Sequence, residues 1–128
     1  MHVIHFDSVS KRYPEGREAL IDVSFGVEAG EMLFVTGHSG AGKTTLLKLI
    51  ALIERPSGGA IEVHGRDLAH VKHRDIPRLR RDIGMVFQDH RLLLDRSVAD
   101  NVALPLVIAG IPHEERGKRV RGALEKVG

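Results

Sequence analysis

The densest chemistry in the chain lies in the run Gly37-His38-Ser39-Gly40-Ala41-Gly42-Lys43-Thr44. It satisfies the spacing G-x-x-x-x-G-K-[ST] at every fixed position. Glycines tolerate dihedrals that other residues resist, so the backbone can wrap around a phosphate with successive N–H groups pointing inward. A helix that follows adds its positive N-terminal end. Lys43 supplies a mobile positive charge for the β- and γ-phosphates. The Thr44 hydroxyl is a hard oxygen donor of the kind Mg²⁺ prefers, and Thr45 can reach the α-phosphate. Gly37, His38, Ser39, Gly40, Ala41, Gly42, Lys43, Thr44 and Thr45 therefore form a candidate nucleotide-binding set.

Such a loop needs a strand to deliver it and a helix to receive it. Met32-Leu33-Phe34-Val35 is a continuous apolar run ending at Gly37, which predicts a strand buried on both faces. Thr44 to Glu54 is apolar nearly all round and predicts a helix packed on a sheet, stopped by Arg55-Pro56-Ser57-Gly58-Gly59. Upstream, Val3 to Phe6 reads as a strand. Val23, Phe25 and Val27 alternate with polar or small residues, as in a half-buried strand that turns at Ala29-Gly30. Ile61 to His64 and Ile83 to Phe87 are further strand candidates, and Asp75 to Arg81 predicts a short surface helix. From Ser97 the pattern becomes helical, interrupted by Pro105 and ended by Gly110. Pro112 opens a last helix with Val120, Ala123, Leu124 and Val127 on one face.

The 128 residues suffice for one compact domain, and 42% hydrophobic with 28% charged residues is ordinary for a globular chain. A formal net charge of +2 gives little reason to expect a nucleic-acid partner. The absence of cysteine excludes disulfides and thiolate metal sites, and no apolar run approaches membrane-span length. The N-terminus lacks the blocks of a secretory signal, so a cytoplasmic location is expected.

Four stretches resemble the nucleotide-binding domain of the ABC ATPases. They are Tyr13 upstream of the loop, TGHSGAGKTT at Thr36 to Thr45, LIERPSGG at Leu52 to Gly59, and GMVFQDHRLLL at Gly84 to Leu94. The resemblance implies an α/β fold: a P-loop NTPase-type core with N-terminal antiparallel β strands and the start of a helical subdomain. Residues 1–96 would form the core and 97–128 the truncated start of that subdomain. It implies ATP and Mg²⁺ as cofactors, Tyr13 as the ring that stacks on adenine, and Lys43 and Gln88 as catalytic groups. Thr44 and Gln88 would serve the metal, the Gln88 amide also accepting from the attacking water.

His38 in the loop and Asp89-His90 after Gln88 resemble the cell-division branch of the family, with lipoprotein-release and macrolide-export ATPases as the near alternative. That branch implies a head-to-tail homodimer in the full-length protein, an integral-membrane FtsX-like subunit docking near Asp89 to Arg96, and work with the division machinery. The site of action would be the cytoplasmic face of the bacterial inner membrane, without nucleic acid.

The family also uses an apolar run ending in Asp-Glu, a Leu-Ser-Gly-Gly-Gln signature and a late histidine. None stands in these residues. Leu92-Leu93-Leu94-Asp95 is too short and runs on into Arg96; Ser57-Gly58-Gly59 reads as a turn. A catalytically incomplete nucleotide-binding module is therefore a third possibility. A GTPase is disfavoured by the lack of an Asn-Lys-x-Asp tetrapeptide. The eight histidines form no metal-ligand pair, and the basic stretch Lys72 to Arg81 is expected to be a solvated face. Complete domains of the family run to on the order of 220 residues. The part beyond Gly128 would include the catalytic strand in the middle of the parallel sheet, so an isolated chain is expected to be marginal.

Overall fold

A computed structural model describes residues 2–38, 40 and 42–128. The chain divides into two compact units, one reaching Ile83 and the other running from Gly84 to Gly128. The first is α/β. Strands β1 (His2–Arg12), β2 (Glu18–Glu28), β3 (Gly58–Val63) and β4 (Arg66–Asp67) form an antiparallel sheet in the order β2-β1-β3-β4. Helices α1 (Lys43–Ile50) and α2 (Ile76–Arg81) complete this unit, together with the 3-10 turns Leu68–His70 and His73–Asp75.

Two bulges set which side chains of the β1–β2 hairpin face the core. Phe6 pairs with Phe25 but Val9 pairs with Val23, leaving one extra residue in β1 where Ser8 adopts φ 51. Three residues apart on a regular strand, Phe6 and Val9 would face opposite ways. The bulge turns both inward, and both are fully buried. Its free N–H at Ser8 is taken by the Ser24 hydroxyl at 2.8 Å. The compensating bulge lies in β2 at Asp22, φ 50, whose N–H donates to Ser10 Oγ at 2.9 Å. It brings Leu20 inward beside Val23, against α1.

Helix α1 ends at Ile50, earlier than the apolar pattern predicts. Leu52 takes a left-handed φ of 55, and the N–H groups of Leu52 and Ile53 bond back to the carbonyls of Leu49 and Lys48 at 3.2 and 2.9 Å. This is the Schellman arrangement with a leucine where glycine is usual. The left-handed backbone costs roughly 1–2 kcal/mol, and burial of the Leu52 side chain in the core offsets it. Arg80 of α2 finishes the end, its guanidinium donating to the carbonyls of Ala51 and Leu52 at 2.9 Å each. The basic stretch is thus only partly a solvated face.

Two predicted strands do not form. Residues 31–37 and 84–87 carry no strand pairing. Met32 and Phe34 are 78% and 80% exposed, and Val86 is 90% exposed. A strand exists only where a neighbour accepts its N–H and carbonyl groups. Among the described residues the sheet has no member beside either run.

The second unit pairs α3 (Val98–Ile108) with α4 (His113–Val127). Ser97 caps α3, its hydroxyl accepting from the Asp100 N–H at 3.0 Å. The helix runs through Pro105 instead of breaking there. The proline removes one donor, but its carbonyl still accepts from Ala109 N–H at 3.0 Å. Of the predicted α4 face, Val120 is buried and Val127 is exposed. No helix among the described residues is long and apolar enough to cross a membrane.

Candidate functional site

Helix α1 starts at Lys43, with Gly42 as its cap in a left-handed conformation at φ 99. A Cβ on Gly42 would collide with the Ala19 carbonyl and crowd the Leu20 side chain, so this position docks on β2 and admits no larger residue. The inward turn of Leu20 at the β2 bulge therefore helps set where the loop meets the helix.

Lys43 folds back over the loop. Its ammonium donates to the Gly37 carbonyl and, at 2.8 Å, to the His38 carbonyl. The cation is thereby held among backbone oxygens at the N-terminus of α1. Gly40 lies in the same loop at a left-handed φ of 85. Ser39 and Ala41 lie outside the described residues. Thr44 is exposed on the first turn of α1, with its hydroxyl available as a hard oxygen donor.

Tyr13 and Thr45, separated by 32 residues, meet directly: their hydroxyls are 3.0 Å apart. Thr45 is buried, and Tyr13 is half-buried. Tyr13 is placed by knitting at the end of β1. Lys11 Nζ donates to the Arg55 carbonyl at 2.7 Å and pairs with Glu54 at 3.5 Å, and Arg12 N–H donates to Ser57 Oγ at 2.8 Å. The turn expected at Ser57-Gly58-Gly59 is therefore confined to a bend at Ser57, because Gly58 and Gly59 already belong to β3, where Gly58 pairs with Ser10 of β1. The hairpin loop is closed by Gly16 N–H to the Tyr13 carbonyl at 2.8 Å and Tyr13 N–H to the Arg17 carbonyl at 2.9 Å. Pro14 and Gly16 stand at the turn positions that favour them. As a result, cations surround the Tyr13 ring, with Arg17 Cζ 4.7 Å and Lys11 Nζ 5.3 Å from its centroid.

Gln88 belongs to the second unit. It is exposed in a turn closed by His90 N–H to the Phe87 carbonyl at 3.1 Å. Arg91 packs its guanidinium on Phe87, 4.0 Å from the ring centroid. Leu93 of the apolar run before Asp95 is tied through its N–H and carbonyl to the Asn101 side chain, at 2.8 and 3.0 Å. Among the described residues no cluster of His, Asp and Glu could hold a metal.

Pattern reading missed the contribution of Arg17 to the ring and of Arg80 to α1. The only signal for the first is the short Pro-Glu-Gly spacing that folds residue 17 back on residue 13.

Residues 20–128 match the family described as ABC transporter. The chain is 58% identical over 126 residues to the cell division ATP-binding protein FtsE of Escherichia coli (strain K12), covering 98% of this chain and 57% of that protein. It is 43% identical over 129 residues to the methionine import ATP-binding protein MetN of Geobacillus kaustophilus, covering 98% of this chain and 38% of that one. A dimeric, post-hydrolysis structure of the ATP-binding cassette MJ0796 bound to ADP and Pi superposes with a TM-score of 0.87 at 30% identity, over 95% of this chain and 56% of that one. The chain spans little more than half the length of the cell-division relative.

Proposed function

The chain belongs to the ABC transporter family of ATP-binding domains, and from that premise we propose that it binds Mg-ATP on the loop from Gly37 to Thr45. On the same premise it is part of a cell-division ATPase that couples ATP binding and hydrolysis to an integral-membrane FtsX-like subunit controlling septal cell-wall remodelling. The observation that carries the reading is the Lys43 ammonium, gathered by the Gly37 and His38 carbonyls at the N-terminus of α1. A cation beside a helix N-terminus suits recognition of a polyphosphate.

In this reading Lys43 exchanges its carbonyl partners for phosphate oxygens. Gly42 keeps the backbone close enough for N–H donation, and Thr45 lies beside the α-phosphate. Tyr13 offers its ring to adenine, a contact worth roughly 1–3 kcal/mol where bases stack on aromatic side chains. Thr44 and Gln88 would hold Mg²⁺, which neutralises charge on the transferred phosphoryl group. Gln88 would also orient the attacking water. The acidic strand and signature that complete such a site in the family do not stand in these residues. In this reading turnover requires those parts, in two full-length copies closing head to tail at the cytoplasmic face of the inner membrane.

The 58% identity to a cell-division protein against 43% to a methionine importer supports the cell-division branch over an importer. Binding of ATP and release of phosphate, measured on the same samples, test the proposal. Saturable Mg-ATP binding, with phosphate release appearing only when the rest of the domain is supplied, supports it. A folded chain that fails to bind ATP refutes it.

A further inference from the structure

The Tyr13 ring is not free to receive a base. Its hydroxyl is tied to Thr45 at 3.0 Å, and two cations lie against it. They are not equivalent. Lys11 is fixed by the Arg55 carbonyl at 2.7 Å and by Glu54 at 3.5 Å, and its side chain is 14% exposed. Arg17 is nearer the ring centroid at 4.7 Å, yet its side chain is 59% exposed and its one carboxylate partner is Glu15 at 3.6 Å. An exposed pair of that length holds a guanidinium weakly. Arg17 is therefore the group on the ring that solvent or a ligand can remove.

We propose that Arg17 is a displaceable cap on the base platform, its guanidinium holding the Tyr13 ring surface that a nucleobase takes. The inference rests on the reading of Tyr13 as the adenine platform. A base and a planar guanidinium cannot both lie against the same ring surface, so base docking must move Arg17 aside and give up its cation–π contact. Arg17 then lowers affinity for every ligand that stacks on Tyr13 and leaves bare polyphosphate untouched. The hairpin sets this up: Pro14 and Gly16 fold residue 17 back over residue 13 through the two backbone hydrogen bonds that close the loop.

The chain contains one tyrosine and no tryptophan, so emission excited at wavelengths longer than phenylalanine absorbs reports Tyr13 alone. ATP and inorganic tripolyphosphate are titrated into the unaltered chain, Arg17→Ala, Tyr13→Ala and the double variant, with circular dichroism confirming equal folding. Arg17→Ala is expected to change Tyr13 emission before any ligand is added. It should tighten ATP binding about two- to fivefold, the equivalent of an exposed cation–π contact, with tripolyphosphate affinity unchanged. In the Tyr13→Ala background the gain should vanish. Equal weakening of ATP and tripolyphosphate by Arg17→Ala would make Arg17 a phosphate ligand and overturn the cap. Unchanged emission and unchanged ATP affinity overturn it as well. Tyr13→Ala separates the two layers. If it weakens ATP binding while Arg17→Ala does nothing, the cap alone fails; if it leaves ATP affinity intact, the base platform fails and the cap with it.

Discussion

Replacing Arg80 with alanine removes two hydrogen bonds from a charged donor to the carbonyls of Ala51 and Leu52, each 2.9 Å long. Those carbonyls terminate α1, whose other end carries the phosphate loop. Hydrogen bonds to charged groups contribute about 1.5–3 kcal/mol when buried, and a cation at a helix C-terminus adds about 0.3–1 kcal/mol. Arg80 is exposed along much of its length, so water can replace part of what it gives. A net loss of about 1–2 kcal/mol follows, or a fall in melting temperature on the order of 3–8 °C for a chain of this size. Urea denaturation followed by Tyr13 emission reads the unit that contains α1. Arg81→Ala, on the same helix, serves as the control and should stay within about 0.5 kcal/mol. Arg80→Lys should recover less than half of the loss, because one ammonium cannot reproduce the fork. Equal midpoints for Arg80→Ala and Arg81→Ala would refute the cap and return the whole basic stretch to a solvated face.

The remaining expectations concern the loop and its surroundings. Gly42→Ala places a methyl against the Ala19 carbonyl at a left-handed φ of 99; it should destabilise the first unit by about 2 kcal/mol or more, seen as a lower urea midpoint. Tyr13→Phe keeps the ring but leaves the buried Thr45 hydroxyl without its partner. It should cost about 1–2 kcal/mol by thermal melting while ATP affinity changes less than twofold. Phe34→Ser should shift stability by less than about 0.5 kcal/mol, since Phe34 is 80% exposed. A loss near the roughly 3–5 kcal/mol typical of a buried phenylalanine would show that residues 31–37 are packed as the sequence pattern predicts.

The local chemistry was legible because it depends on spacing alone. The turn at Ala29-Gly30, the β2 strand carrying Val23 and Phe25 and the change to helix after Ser97 are all written in neighbouring residues. The Tyr13–Thr45 contact and the Arg80 cap were not, because each joins residues about thirty positions apart through the tertiary fold. The two absent strands mark the opposite limit. Met32 to Val35 has the composition of a buried strand, but composition cannot supply a hydrogen-bonding neighbour. Leu52 likewise reads as helix by its apolar side chain, while the backbone uses it to end the helix.

The most direct test is equilibrium binding of a fluorescent ATP analogue, with and without Mg²⁺, to the chain and to Lys43→Ala. The loop reading predicts saturable binding that Mg²⁺ strengthens and that Lys43→Ala weakens at least tenfold, on the order of one charge-assisted phosphate contact. Equal affinity in the chain and in a folded Lys43→Ala variant would contradict it.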